Sequence, residues 1–378
     1  MPKPAPSRKG LQLHIKSRPL PFSFWPTYQG AKRLGVHSTV FALDPWTIIN
    51  TSVKQHCPTA AKDEALAYVE QAKDFYTAAV SASIAAARPL LLYYCFMNLS
   101  KALVVHRGTR PTITSAAHGL KERLRAPNRE LEDAFLKAEK STTGRAQVFD
   151  EFLKTIATTG LAADFDYDLS ILLPQILPGH RLWCEAVNQD ERFISLHEIR
   201  VMENKSAKTL WLNLYFFEDD LKRLGVTHKR LLSASRLGAG FRQVRTARKV
   251  GGRKLVCFQQ IGTVTYRHRP SDEVHKLVAE VRPYLWVTVA TIPPYRRYYV
   301  YLAPTAEHAG LLPQLLSVHA VTFYLGSITR YRPHHFDKIV DGPFGPRVEE
   351  FISGQPLQFI YMMASEFTQQ EVTRPSIV

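Results

Sequence analysis

The sequence predicts an α+β protein, with helical N- and C-terminal parts packed together around a central antiparallel β-sheet region. Three observations carry this. Leu66, Val69, Ala72, Tyr76 and Val80 recur at helical spacing. Leu210, Leu212, Leu214 and Phe216 alternate with Thr209, Trp211, Asn213 and Tyr215, the two-residue period of a half-buried strand. Leu311 to Thr329 contains no Asp, Glu, Lys or Arg, so a helix there is buried nearly all round.

Taken in order, residues 1–57 form a basic arm rich in proline and aromatics (Pro19, Pro21, Phe22, Phe24, Trp25). It is ordered where its rings dock and loose before about residue 10. Residues 58–160 are a helical region. A first helix starts at Pro58-Thr59 and runs toward Ala86; a second opens at Pro89 and is stopped by Gly108 and Pro111. Two shorter helices are expected at 129–140 and 145–157, separated by Ser141 to Gly144. Residues 161–305 form a β-rich region, with strands at 192–202, 209–216, 254–267, 284–291 and 297–303 and a basic loop at 222–254. Residues 306–378 are helical again, with helices at 311–329 and 347–369.

Composition bounds the function classes. The 378 residues, 45% hydrophobic and 22% charged, are those of a folded chain and not a disordered one. The excess of 49 Lys and Arg over 33 Asp and Glu, a net +16, favours polyanionic partners. Cys57, Cys95, Cys184 and Cys257 form no CxxC pair, so neither a zinc ribbon nor a disulfide framework is expected, and a reducing cytoplasm fits. The N-terminus lacks the apolar run of a signal peptide. Arg88-Pro89, Asn98 and Lys101 interrupt the most apolar window, Ala78 to Val105, so it reads as buried helices and no membrane partner is expected.

Three clusters could carry chemistry. Eleven of the 33 residues from Lys222 to Lys254 are basic and none is acidic; Arg230, Arg242, Arg245, Arg248, Lys249, Arg253 and Lys254 are the candidate nucleic-acid contacts. Such a run can track a phosphate backbone, each neutralised phosphate adding salt-dependent affinity. The plainer account is a solvated loop balanced by acids elsewhere. In Arg330-Tyr-Arg-Pro-His-His335, two guanidiniums and two imidazoles crowd where Pro333 ends the uncharged helix. Arg330 or Arg332 would hold a phosphate while His334 or His335 moves a proton, the requirements of metal-independent RNA cleavage. Helix capping by the arginines is the structural alternative. Arg88, Tyr94, Asn98, Lys101 and His118 form a third, polar cluster; Tyr94, Asn98 and Lys101 share one helical face and need partners.

No cofactor or metal motif is expected. Asp164-Phe-Asp-Tyr-Asp168 imitates a calcium loop, but Leu169 occupies its glycine position and Gln175 its bidentate glutamate position. Leu237-Gly-Ala-Gly240 lacks the rest of a dinucleotide fingerprint, and there is no P-loop or HExxH.

Arg88-Pro-Leu-Leu-Leu-Tyr-Tyr94, Asn98-Leu-Ser-Lys-Ala-Leu103, His118-Gly-Leu120 and Tyr324-Leu-Gly-Ser-Ile-Thr-Arg-Tyr-Arg-Pro333 resemble the YaaC-like family of bacterial proteins. That resemblance carries no activity with it. A narrower similarity, in the spacing of Arg330 and His335, is to HEPN domains of prokaryotic toxin and phage-defence ribonucleases; Pro333 departs from their continuous helical turn. It implies RNA cleavage in a defence system. The leading expectation is thus an RNA-binding protein, with a metal-independent ribonuclease as its finer form. An adaptor or structural subunit, as a homo-oligomer or the partner of a defence complex, and a nucleotide-binding protein are the alternatives.

Overall fold

The computed structural model describes residues 4–26, 39–82, 85–125, 131, 133–292 and 294–375. The α+β class holds, in two compact units that are each discontinuous in sequence. One comprises Ala42–Glu191 and Ala309–Thr368; the other comprises Met1–Phe41, Arg192–His308 and Gln369–Val378. Helices from both ends of the chain therefore share one unit, while the described residues of the arm up to Phe41 join the β-rich one.

The helical unit begins with α1 (Pro45–His56), where Asp44 caps the first turn by accepting from the Trp46 amide at 3.0 Å. α2 (Lys62–Ser81) follows, then α3 (Arg88–His106), which is buried almost throughout. After α4 (Val148–Ala157) the chain returns with α5 (Gln314–Tyr331), α6 (Pro333–Val340) and α7 (Gly345–Thr368). α5 crosses α3 closely because Gly326 faces it: a Cβ there would lie 3.1 Å from the Pro89 carbonyl oxygen and 3.2 Å from Tyr93 Cβ. α7 packs its Phe359 ring on Phe96 of α3 at 3.9 Å. A small antiparallel sheet of β1 (Leu120–Leu124), β2 (Ala134–Ala138) and β3 (Phe165–Asp168) flanks these helices.

Five expectations differ from the structure. The helix expected at 129–140 begins partly outside the described residues, and its described part is strand β2. Buried Ala134, Leu136 and Ala138 alternate with half-buried Phe135 and Lys137, a period of two that overrides helical propensity. α1 occupies part of the expected arm, and α6 follows Pro333 where a loop was expected, because proline is acceptable in a first turn. The described residues before Gly10, from Pro4, are ordered, since the Arg245 amide donates to the Ala5 carbonyl at 2.9 Å and Arg8 Nη1 to the Gln260 carbonyl at 2.8 Å.

The fifth concerns 222–254, which is not a loop. The β-rich unit is built on an antiparallel sheet of β4 (Glu198–Asn204), β5 (Thr209–Phe217), β6 (Phe241–Val244) and β7 (Arg253–Gln260), in the order β4-β5-β7-β6. The helix His228–Ala234, strand β6 and the start of β7 therefore take up much of the basic stretch. The arm adds Leu11–Gln12 to the outer edge of β4. Only glycine fits at Gly10, where a Cβ would lie 2.4 Å from the Trp211 ring. Phe22 and Phe24 dock edge-on against Tyr298.

Candidate functional site

In the helical unit, α3, α5 and β1 enclose a cleft of about 330 Å³. Leu90, Leu120 and Phe323 give it an apolar floor; Tyr93, Tyr94, His118, Lys121, Glu122, Arg330 and Tyr331 bring its polar and aromatic groups. Each arrives by a local rule. Tyr93 and Tyr94 are adjacent on α3, so they diverge: Tyr93 meets Phe323 edge-on at 5.1 Å, and Tyr94 stacks on Phe75 of α2 at 5.3 Å. Arg330 and Tyr331 close the last turn of α5, which Pro333 prevents from continuing. Glu122 lies on β1, where period-two alternation turns it to the cleft side.

The charges are unevenly matched. Glu122 takes Arg332 Nη2 at 3.0 Å, and Lys121 pairs with Glu139. Arg330 is exposed and has no acid partner among the described residues; Nη1 donates to the Tyr94 hydroxyl at 3.1 Å, and the guanidinium lies 5.0 Å from the Tyr331 ring centroid. His118 Nδ1 shares a hydrogen bond with the Tyr93 hydroxyl. Burial and neighbouring Tyr94 hold that phenol protonated; Met97 Sδ also lies 3.5 Å from its oxygen, but a thioether is the weaker acceptor. The phenol therefore donates to Nδ1, and the ring carries its own proton on Nε2. Burial, then the charges of Lys101 and Arg330, hold the His118 pKa below its ordinary value, so the ring is neutral near pH 7.

The structure brings Tyr94 and His118 to Arg330 and takes the rest of the polar cluster elsewhere. Arg88 donates Nε and Nη2 to the Ala82 carbonyl at 3.2 and 3.0 Å, at the end of α2. Buried Asn98 donates to Gln71 Oε1 at 2.8 Å, and the Lys101 ammonium sits 5.2 Å from the Tyr68 ring centroid. His334 and His335 stand in the first turn of α6, edge-on to each other at 4.3 Å, and are not among the residues lining the cleft. Lys121, Glu122, Phe323 and Tyr331 were not singled out from the sequence. The alternation of Leu120, Glu122 and Leu124 with Lys121 and Arg123 was the signal for the first two.

In the β-rich unit, a groove of about 550 Å³ is lined by Arg245, Arg248, Lys249, Lys254, His228 and Glu218, among others. Part of the basic stretch is balanced by acids just outside it. Lys222 pairs with Glu218 at 3.0 Å, Arg223 with Asp220 at 3.3 Å, Arg248 with Glu198 at 2.9 Å, and Arg253 with Asp219 and Asp220 at 2.7 and 2.8 Å. Burial alone would raise the Glu198 pKa; Arg200 and Arg248 outweigh it and hold the carboxylate below its usual range. The other seven cations, Lys229, Arg230, Arg236, Arg242, Arg245, Lys249 and Lys254, have no ion pair among the described residues. Arg242 also approaches Arg8, whose pKa is lowered by burial and then by that like charge.

Among the described residues, no three His, Cys, Asp or Glu side chains group as a metal-ligand set, and no helix is long and apolar enough to cross a membrane. Asp164 and Asp168, from the calcium-loop imitation, accept the amides of Lys140 and Ser170 at 2.9 Å each. Compared with known proteins, the chain matches the family model described as YaaC-like Protein over residues 32–367. No curated protein and no solved structure matches it.

Proposed function

The chain belongs to the YaaC-like family, and we propose for it a role in RNA binding, with the basic groove of the β-rich unit as the contact for the phosphate backbone. One observation carries this reading: Arg245, Lys249 and Lys254 are exposed at the groove without acid partners among the described residues, on strands and turns that hold them in place. Three unpaired cations along one concave surface repel one another, and a run of phosphates relieves that repulsion while releasing counterions. A groove, unlike a protruding helix, suits a single strand, which can follow it backbone-first. The test is equilibrium binding of labelled single-stranded RNA, single-stranded DNA and duplex DNA across a salt series. Salt-dependent binding that prefers RNA supports the reading; no binding, or equal binding of duplex DNA, counts against it.

The finer reading is metal-independent cleavage at the Arg330–His335 segment. Arg330, which has no acid partner among the described residues, would hold the scissile phosphate, and His334 or His335 would take the proton of the ribose 2′-OH. Attack of that oxygen on phosphorus expels the 5′-oxygen, which takes a proton from the other histidine of the pair, and yields a 2′,3′-cyclic phosphate. Cleavage should then survive EDTA and fall about 10²–10⁴-fold in His335→Ala or His334→Ala. Full activity in both variants would move the acid–base role to another group, and His118→Ala is the next variant to assay.

A further inference from the structure

The cleft in the helical unit has the makings of a small-molecule site that is separate from the groove, so it stands if the groove binds nothing. Its volume, about 330 Å³, is at the small end of the roughly 300–1,000 Å³ typical of ligand pockets. Its contents are specific. Tyr331 is 65% exposed, unusual for a large aromatic, and its ring offers an open face beside the Arg330 guanidinium. Glu122 is the one acid lining the cleft, and it already pairs with Arg332. His118 presents a neutral ring with its N–H at Nε2.

From this arrangement we infer that the cleft binds one nucleotide unit, the base stacked on Tyr331 and the phosphate held by Arg330. A planar π-face, a forked cation for a phosphate, and a neutral imidazole that donates to a ribose hydroxyl oxygen or a base ring nitrogen match the three parts of a nucleotide. An anion without a ring would leave the Tyr331 face and the apolar floor unused. An uncharged ring would leave Arg330 facing water. The apolar floor of Leu90, Leu120 and Phe323 excludes solvent beneath the bound base and strengthens the charge interaction above it.

The unit can be a free mononucleotide or one nucleotide of an RNA strand, and the experiment separates these. Full-length protein is titrated calorimetrically with AMP, GMP, adenosine, inorganic phosphate and a short oligoribonucleotide. A mononucleotide should bind at least about ten-fold more tightly than either adenosine or phosphate. Tyr331→Ala should weaken it about 5- to 150-fold, the range for losing one base stack, and Arg330→Gln should weaken AMP far more than adenosine. Tighter binding of the oligoribonucleotide than of AMP makes the strand the natural source; the reverse makes it the free nucleotide. Both side chains are exposed, so thermal melts should show both variants folded. Equal affinity for phosphate and AMP, no binding of any nucleotide, or unchanged affinity in both variants overturns the proposal. The oligoribonucleotide arm is run in protein with Arg245, Lys249 and Lys254 replaced by Gln, so that no readout depends on those groove residues.

Discussion

Arg330 Nη1 reaches the Tyr94 hydroxyl at 3.1 Å across 236 residues of sequence, joining the last turn of α5 to α3 at the mouth of the cleft. The bond is between partly solvated groups, so it contributes to orientation more than to stability. Tyr94→Phe should therefore change unfolding free energy by no more than about 0.5 kcal/mol, as at other surface positions. The same variant should weaken nucleotide binding less than Arg330→Gln does, because the guanidinium loses an anchor and keeps its charge. A urea titration and a calorimetric titration of the two variants check both halves. A large stability loss in Tyr94→Phe would make the pair structural.

The groove makes a different prediction for different arginines. Arg245, Lys249 and Lys254 have no acid partners among the described residues, whereas Arg253 is held by Asp219 and Asp220 and Arg248 by Glu198. Replacing Arg245, Lys249 and Lys254 together by Gln should make the slope of log K against log salt shallower by about 2, at roughly 0.7 per phosphate contact on a single strand. Arg253→Gln should change the slope less, because its charge is already matched. Identical slopes for wild type and the triple variant would remove the groove from RNA binding.

The sequence was informative where burial imposes one period over a long run. α3, α5 and β5 each bury most of their side chains, so their bounds are close to those expected; β5, however, is buried on both faces, Trp211, Asn213 and Tyr215 included, and is not the half-buried strand that its alternation predicts. β2 was misread because Ala134, Leu136, Lys137 and Ala138 are good helix formers, and only the pairing with β1 and β3 selects strand. Charge was legible as a total and illegible as a distribution. Asp219 and Asp220 lie just upstream of the basic stretch, and nothing local says that they fold back onto Arg253. Of the polar cluster, the shared helical face of Tyr94, Asn98 and Lys101 was correct. That face meets α2, however, so Asn98 ends on Gln71 and only Tyr94, near the open end, reaches Arg330.

Asp150 ties together the loops on either side of α4. Its side chain is fully buried and accepts the Ser141 amide at 2.8 Å and the Leu161 amide at 2.6 Å, with Lys154 Nζ at 3.1 Å. Burial would raise its pKa; the two amides and Lys154 outweigh that and hold it below the usual value. Asp150→Ala leaves two buried N–H groups without acceptors, at about 1–3 kcal/mol each, and should cost roughly 2–6 kcal/mol. Asp150→Asn keeps one acceptor oxygen and should cost less. Equal losses in the two variants, by urea unfolding, would show that charge and not amide satisfaction is what matters there.

His319 sits at the centre of the helical unit, fully buried among Tyr93, Phe149 and Phe152. Ser100 Oγ lies 3.2 Å from its Nδ1 and gives its own proton to the Phe96 carbonyl at 2.8 Å. The imidazole therefore donates from Nδ1, and Nε2 is a bare nitrogen without a partner. Burial, with a smaller push from His118, brings its pKa down to about 3. In the unfolded chain the same ring titrates near pH 6.5. Between those two values the unfolded state binds a proton that the folded state refuses, so stability rises with pH across this window. Above about pH 6.5 both states are neutral and His319 adds no pH dependence. Acidifying from about pH 7 to about pH 5 should therefore lower unfolding free energy, with a slope from this residue approaching about 1.4 kcal/mol per pH unit. His106, also held below its ordinary pKa by burial, contributes in the same direction, so the wild-type slope alone does not isolate His319. The comparison with His319→Phe does, because the variant fills the same space with a ring that cannot take a proton. Urea unfolding of both proteins over that range should show the variant losing less stability on acidification. Parallel curves would mean that water or a rearrangement reaches Nε2 in the folded state and lets it protonate there.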